Sequence, residues 1–176
     1  NVDGQKADDM FHQQQLLDTK NIEKRSVAVV TDSASDFEDE NLNIYVVPLR
    51  YSFGNKGYID KVSQTTNEFF NELSTNPIHP QTSQPVPGDF RRQYQFLSSH
   101  YKSIISIHIP HKLSGTLQSA KTAIKRTPEA SVSVIDSRNI SVGLGLIVTH
   151  AAELVKKGKS HEKIIGIGET GLDFFY

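Results

Sequence analysis

The sequence predicts an α/β fold, a mostly parallel sheet flanked by helices. Short runs of β-branched residues, typical of strands buried on both faces, are each followed by a polar turn. Segments with helical spacing of apolar residues alternate with these runs. Such alternation favours parallel pairing, because parallel strands need a long crossover connection. Ligands of parallel sheets bind beyond the carboxyl ends of the strands, so the turns after the strands form the candidate site.

Four apolar runs predict the strands of this sheet, at residues 27–31, 44–47, 104–109 and 131–135. Pro48 ends the second strand, because proline cannot donate to the hydrogen-bond ladder. Residues 49–60 contain Gly54 and Gly57, and they predict a hairpin or an excursion from the sheet.

Four segments with helical spacing predict helices at about residues 65–73, 89–99, 116–126 and 141–157. Thr65 or Thr66 is expected to cap the first of them. Phe90, Tyr94 and Leu97 fall on one face of the second helix.

Composition narrows the function classes. With 176 residues the chain fits one domain of ordinary size plus flanking material. A net charge of −1, from 19 basic and 20 acidic residues, favours neither a nucleic acid nor an anionic membrane surface as a partner. The chain has no cysteine, which excludes disulfides, thiolate catalysis and cysteine metal sites. No apolar run approaches the length of a membrane span, so we predict a cytoplasmic protein without membrane insertion. We also predict that it uses no cofactor.

Two hydroxyl-rich turns are the strongest functional signal. One spans residues 80–85 and contains Thr82, and the other begins with Ser114 at the start of the third predicted helix. Free N–H groups at a helix start, the positive end of the helix dipole and hydroxyls together favour a small anionic group. Lys112 is the nearest charge, so a single carboxylate fits better than a phosphate. Alternatively, Ser114 only caps its helix and Thr82 only closes a turn between prolines.

Three polar turns are expected to share the carboxyl edge of the sheet, because each follows a predicted strand. They are residues 32–33, 114–116 and 136–137. Secondary candidates for ligand contact are the hydroxyl and glycine residues near these turns and near Thr82, namely Ser33, Ser83, Gly115, Thr116 and Ser137.

Several segments resemble the DegV family in their order and spacing, over residues 26 to about 165. They are residues 29–36, 47–49, 82–85, 114–120 and 134–137, followed by 143–145. The resemblance implies a protein that binds a long-chain fatty acid in an apolar tunnel and is not itself an enzyme. It implies that Thr82 and Ser114 bind the fatty acid carboxylate. It also implies presentation of that carboxylate to a separate fatty acid kinase subunit.

The two ends of the chain differ from this pattern. The resemblance implies a protein nearly twice as long, and we predict that the second domain of the family is absent here. Residues 1–25 are predicted to be a linker or helical connector, and they resemble the region that joins a fused dihydroxyacetone-kinase-like domain to a DegV domain. Residues 166–176 form an atypical tail that resembles a motif of TatD deoxyribonucleases, in which Glu169 would ligate a metal. The alternative function is therefore a metal-dependent hydrolase or nuclease fragment, although the paired His-x-His of that family is absent.

A nucleophilic triad is the remaining enzymatic interpretation. It would combine Ser114 with His108 or His111 and with Asp136. The chain has no Gly-x-Ser-x-Gly elbow, and His108 lies in a predicted strand, where a core or surface role is more common. We therefore favour binding over catalysis.

Overall fold

The computed structural model describes residues 24–36 and 41–170, with side chains up to residue 166. These residues fall into two compact units. The sheet unit consists of Lys24–Val47 and the chain from Gln84 onward, and the hairpin unit consists of Pro48–Ser83. Almost all of the predicted connector at residues 1–25, and the last six residues of the predicted tail, lie outside the described part of the chain.

Seven strands and five helices are described, and their bounds are as follows. The strands are β1 (Arg25–Asp32), β2 (Ile44–Val47), β3 (Arg50–Phe53), β4 (Lys56–Ile59), β5 (Gln81–Ser83), β6 (Tyr101–His108) and β7 (Val132–Asp136). The helices are α1 (Thr66–Thr75), α2 (Pro87–His100), α3 (Thr116–Ile124), α4 (Val142–Lys156) and α5 (His161–Thr170).

The sheet unit contains a four-stranded sheet in the order β2-β1-β6-β7, and every neighbouring pair is parallel. Val29 pairs with Ile44 on one side and with Ile105 on the other. The predicted α/β fold with a mostly parallel sheet is therefore confirmed. Strand β6 begins three residues before its predicted start, because Tyr101 pairs with Arg25 of β1.

Both faces of this sheet are covered, which explains the continuous apolar runs of its central strands. Val27 and Val29 of β1 belong to a core cluster with residues of α4 and α5. The alternate residues Ala28 and Val30 belong to a second cluster with residues of α2 and α3. The second cluster includes the predicted face of α2, whose members Phe90, Tyr94 and Leu97 are fully buried.

The hairpin unit is built on β3, which pairs antiparallel with β4 and with β5. Its small core consists of Tyr51, Phe53 and Tyr58, with Phe69 and Leu73 of α1 packed against them. The predicted hairpin is confirmed. The predicted cap is confirmed too, because the Thr65 hydroxyl accepts the N–H of Glu68 at 3.3 Å.

One local prediction is wrong. Residues 80–85 were expected to form a turn, but Gln81–Ser83 form β5, in which Thr82 pairs with Tyr51 of β3. The two flanking prolines suit both extended chain and a turn, and β3 supplies the ladder partners that decide between them. None of the helices in residues 24–36 and 41–170 is long and apolar enough to cross a membrane.

Candidate functional site at the carboxyl edge of the sheet

Three turns follow β1, β6 and β7 at the carboxyl edge of the parallel sheet, and we call them the edge turns. They comprise residues 33–36, 109–115 and 137–141. The middle one, after β6, carries Ser114. Since β6 lies between β1 and β7 in the sheet, its turn has a neighbour on each side.

Asp32, the last residue of β1, holds the turn after β6 from one side. Its Oδ2 accepts hydrogen bonds from the backbone N–H of Ile109 at 3.0 Å and pairs with Nδ1 of His108 at 2.9 Å. Its Oδ1 accepts the N–H of Ala34 at 3.1 Å. The Asp32 and His108 side chains are both fully buried. We call this arrangement the Asp32 clamp.

The Asp32 clamp continues into the core on the α2 side of the sheet. Nε2 of His108 lies 2.6 Å from the hydroxyl oxygen of Ser106, which lies 2.8 Å from the Tyr94 hydroxyl. Burial raises the pKa of Tyr94, so its hydroxyl stays protonated at neutral pH. Each of these four buried polar side chains therefore has a hydrogen-bond partner within the core.

Asp136, the last residue of β7, holds the same turn from the other side in the same way. Its Oδ2 lies 2.6 Å from Nδ1 of His111 and accepts the N–H of His111 at 3.3 Å, and its Oδ1 accepts the N–H of Arg138 at 3.0 Å. We call this the Asp136 clamp. It differs from the first in exposure, since the His111 and Asp136 side chains are 63% and 22% exposed.

Electrostatics keep the Asp136 carboxyl ionised. Partial burial raises its pKa, but hydrogen bonds from the His111 ring and from the N–H groups of Arg138 and His111 outweigh this effect, so the pKa lies below its usual value. Stabilisation from a lowered carboxyl pKa is complete above the unfolded pKa and is lost as the pH falls through the folded one. The Asp136 clamp is therefore intact at neutral pH.

The outer two edge turns also bond to each other, which closes the ring of contacts. Ser141 donates its N–H to the Ala34 carbonyl at 2.9 Å, and its carbonyl accepts the N–H of Asp36 at 3.3 Å. Its hydroxyl donates to Oδ2 of Asp36 at 2.6 Å. A Cβ added to Gly145 of α4 would collide with the Asp36 carbonyl, so glycine permits this close approach.

Ser114 and Thr116 lie at the start of α3. The two hydroxyl oxygens are 2.8 Å apart, and the Ser114 hydroxyl also accepts the N–H of Thr116 at 3.2 Å. Thr116 is buried and Ser114 is half-buried. Gly115 is the N-cap of α3 and gives it no side-chain cap, and a Cβ on Gly115 would collide with the Gln84 side chain. The predicted start of this helix is confirmed.

The sequence model of the DegV family, described as an uncharacterised protein family, matches residues 26–169. This chain belongs to the DegV family. A DegV domain-containing protein of Staphylococcus aureus (strain MRSA252) is 42% identical over 140 residues, which cover 78% of this chain and 50% of that protein. The chain spans about half the length of the curated DegV relatives it matches.

Solved DegV structures are similar to this chain. The structure of a DegV family protein from Thermus thermophilus, described in terms of its fatty acid binding, is similar with a TM-score of 0.74. The two sequences are 36% identical, and the match covers 81% of this chain and 52% of that one. DegV of Bacillus subtilis, titled a fatty acid binding protein, has a TM-score of 0.78 and 32% identity, covering 82% and 53%. The fatty acid kinase B3 protein of Streptococcus pneumoniae, loaded with linoleic acid, shares the fold at a TM-score of 0.70 and 22% identity, covering 81% and 53%.

The other predicted contact residues of this DegV chain have different surroundings. Ser33 and Ser137 are buried in the outer edge turns, and the Ser137 hydroxyl donates to the Asn139 carbonyl at 2.8 Å. Thr82 and Ser83 belong to the hairpin unit, where both are exposed on β5. The assignment of a fatty acid to Thr82, Ser114 and the secondary residues stays a prediction.

The triad interpretation lacks its central bond. His111 and Asp136 do pair, but the Ser114 hydroxyl bonds to Thr116 and to neither histidine. His108 is the last residue of β6 and bonds to Asp32 and Ser106. The described contacts therefore do not activate Ser114 as a nucleophile.

The nuclease interpretation gains no support either. Throughout the part of the chain that the structure describes, His, Asp and Glu nowhere gather in the group of three that could hold a metal ion. The side chain of Glu169, the predicted metal ligand, lies outside the described residues. The relatives and structures reported above are DegV proteins and lend no support to the resemblance of the tail to TatD nucleases.

The hydrogen bonding of the two clamps is the feature of this candidate site that the sequence does not predict. The sequence identified Asp32 only as a polar residue at a strand end, and Asp136 as such a residue and as a candidate triad member. The sequence signal that could have indicated the clamps is an aspartate at the end of each of two strands, together with two histidines at and after the end of a third. It becomes decisive only when the sheet order places β6 between β1 and β7.

Proposed function

We propose that this DegV domain binds a long-chain fatty acid and that Ser114 and Thr82 hydrogen-bond its carboxylate. The observation that carries the proposal is the half-buried Ser114 hydroxyl at the carboxyl edge, in a turn held from both neighbouring strands. The Thermus thermophilus and Bacillus subtilis relatives, described as binding fatty acids, are 36% and 32% identical to this chain. The role is binding, with no bond made or broken by the domain itself.

The two ends of the ligand are expected to contribute differently to the binding free energy. Burial of roughly 15 methylenes contributes up to about 12 kcal/mol, at about 0.8 kcal/mol each, before ordering costs. A hydrogen bond to a charged group contributes about 1.5–3 kcal/mol. The apolar tail therefore provides most of the affinity, whereas the hydroxyls fix where the carboxylate lies.

The start of α3 adds to the carboxylate site. The first N–H groups of a helix lack intrahelical acceptors, and the helix dipole is positive at this end. Ser114 comes immediately before the Gly115 N-cap, so a carboxylate on its hydroxyl is close to these donors. Neutral donors of this kind suit a single negative charge.

Native mass spectrometry of the chain, purified without delipidation, tests the proposal. We expect a mass excess equal to one long-chain fatty acid, which organic extraction removes and added palmitic acid restores. A protein that carries no fatty acid and binds no palmitic acid would contradict the proposal. Binding of fatty alcohol as tightly as palmitic acid would contradict the carboxylate site.

We also propose that the domain, residues 26–165, presents the bound carboxylate to a fatty acid kinase subunit, separate or fused, in the cytoplasm. This step rests on the family resemblance. Addition of a purified bacterial fatty acid kinase subunit and ATP to the palmitate-loaded chain should yield acyl phosphate, measured as the hydroxamate after trapping with hydroxylamine. Release of phosphate without hydroxamate would contradict this role while leaving fatty acid binding intact.

A further inference from the structure

The two clamps differ in how much they can contribute to the stability of the fold. Each consists of a carboxylate, a histidine Nδ1 and two backbone N–H groups, and each acts on the turn after β6. The Asp32 clamp is fully buried and is part of the core. The Asp136 clamp is open to solvent on its histidine side, and exposed ion pairs contribute little to the stability of a fold. Its geometry nevertheless fixes the position of the turn.

Hydrogen bonds within this turn link the position of Ser114 to that of His111. The N–H groups of Leu113 and Ser114 both donate to the Pro110 carbonyl, at 2.9 and 3.2 Å. Residues 110–114 thus form one hydrogen-bonded turn that contains His111. Because the backbone and the ring of His111 both bond to Oδ2 of Asp136, the turn is fixed against the end of β7.

From this geometry we propose that Asp136 and His111 are positioning residues for Ser114, and that they set the affinity of the carboxylate site. The inference rests on the proposed fatty acid binding. Neither side chain contacts the ligand in this proposal. The Nδ1–H of His111 donates to Asp136, the carboxylate stays ionised at neutral pH, and the Ser114 hydroxyl is thereby held at the edge before a ligand arrives.

Substitutions of His111 separate positioning from direct contact. In His111→Asn the amide nitrogen takes the place of Nδ1 and can still donate to Asp136. In His111→Gln the amide reaches the place of Nε2, the ring nitrogen on the other side from Asp136. In His111→Ala both are lost. His100→Ala is the matched control, because His100 ends α2, at the opposite end of β6 from the edge turns.

The experiment measures palmitic acid affinity and amide hydrogen exchange of residues 111–116 in the delipidated chain. We expect His111→Ala and Asp136→Ala to weaken palmitate binding about tenfold, as for loss of most of one hydrogen bond to a charged group. Exchange of the Leu113 and Ser114 amides, which both donate to the Pro110 carbonyl, should become faster by a similar factor, while the unfolding midpoint stays near that of the unsubstituted chain. His111→Asn should restore both properties, and His100→Ala should change neither.

Three outcomes would overturn the inference. One is restoration of affinity by His111→Gln but not by His111→Asn, which would place Nε2 on the ligand. Another is unchanged exchange at Ser114 in His111→Ala. The third is a fall in the unfolding midpoint of Asp136→Ala as large as that of Asp32→Ala, which would make the clamp structural. Because exchange is measured without ligand, failure of the chain to bind palmitic acid would count against the proposed function alone.

Discussion

The Thr82→Val, Ser114→Ala double variant is expected to lose fatty acid retention while keeping the fold. Each hydroxyl is proposed to contribute one hydrogen bond to the carboxylate, of about 1.5–3 kcal/mol, so removal of both should weaken binding by about 10² to 10⁴-fold. Thr82 is exposed, and Ser114 is half-buried with its hydroxyl bonded to the neighbouring Thr116, so we expect neither change to open a cavity in the core. Native mass spectrometry gives the occupancy, and circular dichroism reports the fold.

A second double variant controls for the loss of hydroxyls in general. Thr75→Val removes an exposed threonine hydroxyl from the hairpin unit, and Ser99→Ala removes an exposed serine hydroxyl from the sheet unit. We expect fatty acid occupancy to remain at the level of the unsubstituted chain. Equal occupancy in the two double variants would show that Thr82 and Ser114 do not hold the ligand.

Asp32→Ala should reduce the free energy of unfolding by about 3–5 kcal/mol, because each buried hydrogen-bonding group left without a partner costs about 1–3 kcal/mol. It leaves the His108 ring and the N–H groups of Ala34 and Ile109 without their acceptor inside the sheet unit. Urea unfolding followed at several wavelengths measures the change.

Asp136→Ala is the matched comparison, since Asp136 has the same three kinds of partner at the same edge. Asp136→Ala should reduce the free energy of unfolding by only about 0–1 kcal/mol, because His111 is mostly exposed and water can replace the lost acceptor. A loss as large as that of Asp32→Ala would mean that burial does not explain the difference between the two clamps.

Local patterns were sufficient for most of the architecture. The continuous apolar runs, Pro48 and the capping Thr65 are signals within a few residues of the chain, and the corresponding strands and helices form where they indicate. The prediction of a turn at residues 80–85 is wrong because the signal that decides this conformation is not local. Its conformation depends on β3, some thirty residues earlier in the chain, which no local pattern reveals.

The position of the edge turns was predictable from the sequence, but their hydrogen bonding was not. The strand ends indicate that Asp32, Ser114 and Asp136 share one edge, because parallel strands place their carboxyl ends together. The roles of His108 and His111 depend on sheet order, and Asp32 and His108 are 76 residues apart. Pairing at that separation is a property of the folded sheet and leaves no periodic trace in the sequence.

The pairing of β1 with β6 has a consequence for how this domain assembles. Arg25 and Tyr101 are neighbours across that pair but 76 positions apart, and the whole of Pro48–Ser83 lies in the loop between them. Closing so long a loop costs more chain entropy than joining β6 to β7, where residues 104 and 132 meet. Because contacts between residues far apart in sequence slow folding, we expect the pairing of β1 with β6 to form later than that of β6 with β7. A peptide that contains only the serine turn and its helix would lack Asp32 and Asp136, the two carboxylates that hold this turn.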